Sequence, residues 1–483
     1  MLSTKPAERL FRSYDTVRQE VDQDLEIAEG KIPEDLRGVL FRNGSGRMER
    51  GGVLYGHPFD GDGMLSRFAF TGKGIRYRNR FVRTRWYLDE ENAGRIRYRN
   101  LGTNIPGGLL NNAFRIRFKN AANTSVIHHG NRLLALWEGG APHEVSPETL
   151  ETHGPFDFDG MLRSPDPVMR AVRGRDLPFS AHPRLDPSTG DLFNFGVAMG
   201  IRPDLMLYRV GSSGRMDPPR SVKLPALGFL HDFALTRNWM VFFFGPLTFD
   251  IGKMLLGLKP AIACASFAPQ RPTEIILVQR NGDRVVRLQT DPGFIFHFSN
   301  GFEDERARVI VDGPLYDRFP EVDSFADLPR KGFGDFPRMI PTRFVLDPEK
   351  GTVNREPLSE HPGELPRIHP GHVGRPYRYF WMSASPVHWG GPYLSGIAKV
   401  DLERRKTLFR DSSPDLTSEP LFVPRQGSDG EDRGWLLHTV YRVEEHRTDL
   451  LVLDATDLST ACLARLPHHE SPGFHGTWLA GVE

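Results

Sequence analysis

Short apolar runs of strand length, each closed by a turn signal, recur along the whole chain, and few folds accommodate such a pattern. They include RLLALWEG (132–139), DLFNFGV (191–197), WMVFFFG (239–245), TEIILVQR (273–280), ARVIVDG (307–313), YRYFWMSA (377–384), GWLLHTVY (434–441) and DLLVLDA (449–455). Turns such as Ser188-Thr189-Gly190 and Asn281-Gly282-Asp283 separate them. With 49 Gly and 39 Pro spread throughout, and no long helical periodicity after the opening stretch, the pattern predicts an all-β sandwich, barrel or propeller. Over 483 residues without a Ser/Pro/Gly-rich linker, a propeller is favoured, because radial repetition buries a large sheet area without long free edges. No exact repeat sets the number of blades. The chain reads as one domain, residues 1–483.

Charge narrows the function classes. Lys and Arg number 62 against 61 Asp and Glu, a net charge of +1, so no field attracts a polyanion and nucleic acid is excluded. GIRYRNRFVRTRWY (74–87) interleaves Arg with aromatics as a single-strand nucleic-acid surface does, but a strand with a solvated Arg face gives the same pattern. Gly44-Ser45-Gly46 lacks the Gly-Lys-Ser/Thr that opens a phosphate-binding helix, and Asp60-Gly61-Asp62-Gly63 is too short for a calcium loop and reads as a hairpin turn. Cys264 and Cys462 are the only cysteines, which excludes a disulfide framework or cysteine metal site and fits a cytoplasmic protein. The start, MLSTKPAERLFRSYD, has no apolar export region. The longest apolar run, WMVFFFGPLTF (239–249), is broken by Gly-Pro and is shorter than the ~20 residues of a spanning helix. The expected protein is soluble or lies on a membrane surface.

Most of the 17 histidines call for no special role; His128-His129 and His468-His469 lie beside turns and read as solvated. Four others share a setting, each following an aromatic in an apolar approach to a strand end: FSAHPRLD (179–186), GFLHDFAL (228–235), GFIFHFSNGFE (293–303) and GFHGTW (473–478). A closed ring in which several blades each send one ligand to the axis accounts for that spacing. Neutral imidazole serves Fe, Zn, Cu and Ni, and four such ligands on an octahedral ion leave two positions open. Core histidines satisfied by backbone carbonyls are the alternative, which four matching contexts disfavour. Ligating histidines donate their other N–H to an acceptor, commonly a carboxylate. Glu138 in LLALWEGG (133–140), Glu364 in GELPRIHP (363–370) and Glu419 in SEPLFVPR (418–425) are the candidates, being acids in apolar or turn-bound surroundings.

These contexts, together with FRNGSGR (41–47), FDGDGM (59–64) and VGRPYRYFWM (373–382), resemble the carotenoid cleavage oxygenase family over nearly the whole chain. GTNIPGGLLNNAF (102–114), KNAANTS (119–125) and WEGGAPHEV (137–145) bring it nearest to the cyanobacterial apocarotenoid oxygenases. The resemblance implies a seven-bladed β-propeller with Fe(2+) on its axis and a loop and short-helix cap over one face. It implies His182, His231, His297 and His475 as ligands, with Glu138 behind His231, Glu364 behind His297, Glu419 behind His475 and none behind His182. Thr124 falls beside the metal, its methyl obstructing one open position.

The reaction so implied adds both atoms of O₂ across a conjugated C=C bond and yields two carbonyl products, here a retinal-like aldehyde. It needs a reducible metal and a dry apolar tunnel rather than a strong acid or base. Phe114, Trp137, Phe229 and Phe296 are the implied tunnel walls, and Leu365, where the family commonly has Phe, widens the tunnel. Stilbene-cleaving relatives place a Lys before the outer Glu to hold a phenolate; Trp137 stands there instead, which favours an apolar apocarotenoid. A metal-free isoprenoid-binding propeller is the alternative of another class. FFFGPLTFDIGKMLLGLKP (242–260), where the family has an apolar entrance patch, places Phe249, Ile251, Met254, Leu255, Leu256 and Leu258 around Lys253 and Lys259 and is expected to dip into a membrane surface, making the protein peripheral.

Overall fold

In a computed structural model, residues 4–164, 177–199, 203–320, 336–388 and 393–481 are described. Seven antiparallel sheets of four to six strands follow one another along the chain, with two short two-stranded ribbons beside them. These are the seven blades of a β-propeller.

Both chain ends close the ring. The last strand, Gly476–Ala480, pairs with Gly38–Arg47 in the first blade. Near the start, Glu26–Gly30 pairs with Thr460–Arg465 as the outer edge of the seventh blade. Inner strands touch around the axis: Gly476–Ala480 meets Ser125–His129 and Leu421–Pro424, and Ala234–Leu235 meets Asn300–Glu303.

Each blade is sandwiched between two others, so both faces of its middle strands are buried. Trp239–Phe244 and Gly396–Asp401 have every residue buried. The apolar core therefore lies in slabs between blades: Phe193 and Phe195 pack on Phe242 and Ile276, and Phe68 and Tyr77 on Leu437 and Val452. That arrangement leaves the axis for polar side chains.

Two insertions cover one face. Residues 82–124 carry the helices Arg85–Ala93 and Leu109–Asn112, and the fourth blade carries the helix Ile251–Leu256 between strands Leu247–Phe249 and Ala265–Phe267. Backbone bonds from Phe114 N–H to Leu255 (2.7 Å) and from Ile262 N–H to Leu101 (2.9 Å) knit them together. Beneath lies a buried charge network: Lys119 Nζ donates to Asp62 and Glu90 at 2.8 Å, and Arg50 Nη2 to Asp62 at 2.9 Å.

This network corrects the hairpin expected at Asp60–Gly63. Pro58–Asp60 is a 3-10 turn, Asp62 opens a ten-residue strand, and both acids are buried because partners await them. The pairs at 128–129 and 468–469 are half-buried rather than solvated; His129 Nε2 lies 2.8 Å from the Gly211 carbonyl and His469 Nε2 3.0 Å from that of Asp15. Strand Gly74–Phe81 alternates as expected, but its Arg face is matched by acids, Arg76 and Arg78 both binding Asp22. Cys264 and Cys462 are buried free thiols. No helix among the described residues is long and apolar enough to cross a membrane.

Candidate metal centre

Each blade sends one residue to the axis from the inner strand or the loop entering it. In chain order these are Thr124, His182, His231, His297, Glu364, Glu419 and His475. Glu138 joins them from just beyond Arg132–Leu136, the second strand of its blade.

The four imidazoles converge through Nε2. His182 and His231 are 3.0 Å apart there, His231 and His297 3.2 Å, and His297 and His475 3.1 Å. Three of the rings are turned by carboxylates. His297 Nδ1 donates to Glu364 Oε2 (2.6 Å) and His475 Nδ1 to Glu419 Oε1 (2.8 Å), while His231 Nδ1 meets Glu138. A carboxylate that accepts the Nδ1–H hydrogen bond keeps the proton on Nδ1 and leaves a lone pair on Nε2. Three such lone pairs ~3 Å apart repel unless a cation sits among them, and among the described residues no other group of metal-binding side chains gathers this way.

The spacing fits an ion. With metal–nitrogen bonds of ~2.1 Å, ligands at right angles stand ~3.0 Å apart and tetrahedral ones ~3.4 Å. The observed edges are nearer the first, which leaves room for further ligands. Burial, opposed by Glu419, brings His475 down to about 4. Burial and the other imidazoles hold His182 well below its usual range. Burial acts the same way on His297, but Glu364 overrides it and raises that ring.

The outer groups are themselves held. Glu364 Oε2 also accepts from the N–H of Leu365 (2.7 Å), a residue of left-handed backbone (φ 56°), and Oε1 accepts from the Tyr316 hydroxyl (3.0 Å). Glu419 accepts from Arg367 Nε (2.8 Å) and the Gly476 N–H (2.9 Å). Although burial works against its charge, Arg367 and His475 hold it well below the usual carboxylate range. Tyr316, Arg367 and the two backbone donors were not foreseen from sequence; Tyr316 merely ends an apolar run, and nothing local relates it to Glu364.

His231, His297 and His475 border a cavity of about 2180 Å³ under the cap, lined mostly by apolar side chains. Thr124, Trp137, Phe229, Phe296 and Leu365 line it, and the Thr124 hydroxyl is turned to Asn123 Oδ1 at 3.1 Å. Phe114 does not belong to this wall. It is 73% exposed, because a left-handed backbone (φ 58°) at the end of helix Leu109–Asn112 swings its ring outward. Phe249, Ile251, Met254 and Leu255 line the cavity, Ile251 being partly exposed as well, whereas Leu256 and Leu258 face outward.

Known proteins share this architecture. The chain matches the family described as retinal pigment epithelial membrane protein (RPE65) over residues 14–480. It is 38% identical to the apocarotenoid-15,15'-oxygenase of Synechocystis, covering 99% of this chain and 98% of that one. It is 29% identical to resveratrol cleavage oxygenase 1 of Aspergillus fumigatus, covering 94% and 91%. Among solved structures, cobalt-substituted Synechocystis ACO superimposes with a TM-score of 0.92 at 37% identity, covering 98% of this chain and 99% of that one. A propeller with four histidines converging on its axis, matched along nearly its whole length, therefore belongs to the RPE65 and carotenoid oxygenase family.

Proposed function

We propose that this chain, acting as a single domain, uses Fe(2+) held by His182, His231, His297 and His475 to cleave a conjugated C=C bond of an apocarotenoid with O₂, giving two carbonyl products. The observation that carries this is the convergence of four imidazoles, three of which open into an apolar cavity. A metal-free binding propeller has no use for them. Iron in this setting supplies the one-electron chemistry by which ground-state O₂ reacts with a closed-shell polyene. Glu138, Glu364 and Glu419 orient the rings and raise their basicity. Trp137, Phe229 and Phe296 hold the polyene and exclude water, and Thr124 restricts access beside the ion.

Stilbene cleavage is the second reading, since the Aspergillus relative is named for resveratrol. Trp137 speaks against it, for an indole next to Glu138 offers no charge to a phenolate. Iron-loaded enzyme should convert an apocarotenal to two aldehydes, identified by mass, and leave resveratrol intact. Vigorous resveratrol cleavage without apocarotenal turnover reverses the assignment.

A polyene is nearly insoluble in water, so we further infer that a cytoplasmic enzyme collects it while docked on a membrane. Leu110 (91% exposed), Phe114, Leu256 and Leu258 form an apolar surface from the two linked insertions, next to the helix whose inner side lines the cavity. At ~25 cal/mol per Å², four such side chains contribute several kcal/mol when buried together. Lys253 is paired with Asp250 at 2.7 Å, so apolar area outweighs its charge. Changing Leu110, Phe114, Leu256 and Leu258 together to Ser should abolish most liposome co-sedimentation and slow turnover of membrane-dissolved substrate. Iron content and turnover in detergent should stay unchanged. Equal liposome binding by the folded variant refutes docking here.

A further inference from the structure

The three carboxylates behind the histidines are held in three different ways. Glu419 is buried and charge-paired with Arg367. Glu138 is 25% exposed, and among the described residues no donor besides His231 is seen on it. Glu364 is buried without any cationic side chain bonded to it; its second oxygen instead meets a neutral donor, the Tyr316 hydroxyl.

Tyr316 is well placed for more than filling space. It ends strand Val309–Tyr316 in the blade that also supplies His297, pairing in register with Phe294 and Met339. Glu364 comes from the next blade, so the chain Tyr316–Glu364–His297 spans a blade boundary and ties both sides of it to one ring. The tyrosine is 4% exposed, and its ring packs edge-on against Phe296 with centroids 5.3 Å apart while lining the cavity. Burial and the charge of Glu364 raise the phenol well above its ordinary range, so it stays protonated and donates. A carboxylate with one oxygen committed to an imidazole can rotate away unless the other is also held. The Tyr316 hydroxyl prevents that rotation with no positive charge to draw electron density from the carboxylate.

We propose that Tyr316 is a positioning residue for the metal centre, its hydroxyl fixing Glu364 in the orientation that presents His297 Nε2 to the ion. This rests on the histidines being ligands, as inferred above. It separates the two roles of one side chain: the ring serves the cavity wall, and the hydroxyl serves the ion.

Tyr316→Phe keeps the ring and removes only the donor. Three readouts follow: dissociation of Fe(2+) and Co(2+) by chelator competition, the visible absorption of the cobalt-loaded protein, and apocarotenal kinetics. Outer groups behind metal-bound histidines are worth ~10–100-fold, so this group one step further out should weaken metal retention by roughly 5–10-fold. The cobalt spectrum should shift. kcat should fall while KM is unchanged, since the wall is intact. The same substitution in a Glu364→Gln background should change retention by less than ~2-fold, because coupled residues are not additive. Unchanged retention and spectrum in Tyr316→Phe overturn the proposal, and so does an equal loss in both backgrounds. A rise in KM alone reduces Tyr316 to a wall residue and overturns it likewise. Wild-type protein that binds neither ion overturns the ligand assignment itself and the role of Tyr316 with it.

Discussion

Replacing His231 or His297 by Ala should remove the bound ion and all measurable turnover while leaving a folded propeller. Each supplies one of four converging nitrogens, and losing a direct ligand costs more than the ~10–100-fold typical of an outer partner. The fold should survive because the stranded carboxylates keep company. Without His297, Glu364 still accepts from Tyr316 and the Leu365 N–H. Without His231, Glu138 is exposed enough to be hydrated. Both rings stand in loops entering short inner strands, away from the slabs between blades where the apolar core is concentrated. Elemental analysis beside thermal melting separates the two effects. Full activity in protein shown to lack iron would falsify the metal assignment.

The parts of this molecule legible in the sequence are those that act locally. Each apolar run quoted above overlaps an observed strand, because turn chemistry and strand propensity are short-range. The four histidines stood out because a ligand leaves an apolar strand end abruptly, and that contrast survives in a single chain. Blade count did not show itself. A blade pressed on both faces loses the alternation that marks a half-exposed strand, as the uniformly buried Trp239–Phe244 illustrates. Phe114 was misplaced because a left-handed backbone residue reverses the direction its flanking pattern implies. Asp60 and Asp62 read as a turn because Lys119 and Arg50, the partners of Asp62, lie well outside the local sequence window. Tyr316 and Arg367 lie 48 and 52 residues from the acids they serve, so only the packing of one blade on the next brings them together.

The same unequal surroundings imply that neutralising the three acids has unequal consequences, with Glu419→Gln the most severe. Glu419 is 1% exposed and accepts from His475, Arg367 and the Gly476 N–H, while its own carbonyl receives Arg42 Nη1 at 3.1 Å. Removing its charge leaves the buried Arg42 and the partly buried Arg367 facing each other, with Glu470 as the remaining acid acting on Arg42. Breaking a buried pair by deleting one partner typically costs ~3–5 kcal/mol. Because Arg367 is 33% exposed and can be partly hydrated, the loss should fall near ~3 kcal/mol, the lower end. Glu419→Gln should therefore lower both metal retention and the denaturation midpoint. Glu364→Gln should weaken retention by ~10–100-fold with little change in midpoint, since its remaining partners are neutral. Glu138→Gln should do least, because water reaches the carboxylate already and competes for its bonds. Chelator competition and chemical denaturation on the three variants measure the two quantities separately. Equal midpoints would show that Arg42 and Arg367 do not depend on Glu419. Equal metal retention in all three variants and wild type would mean these acids do not support the histidines at all.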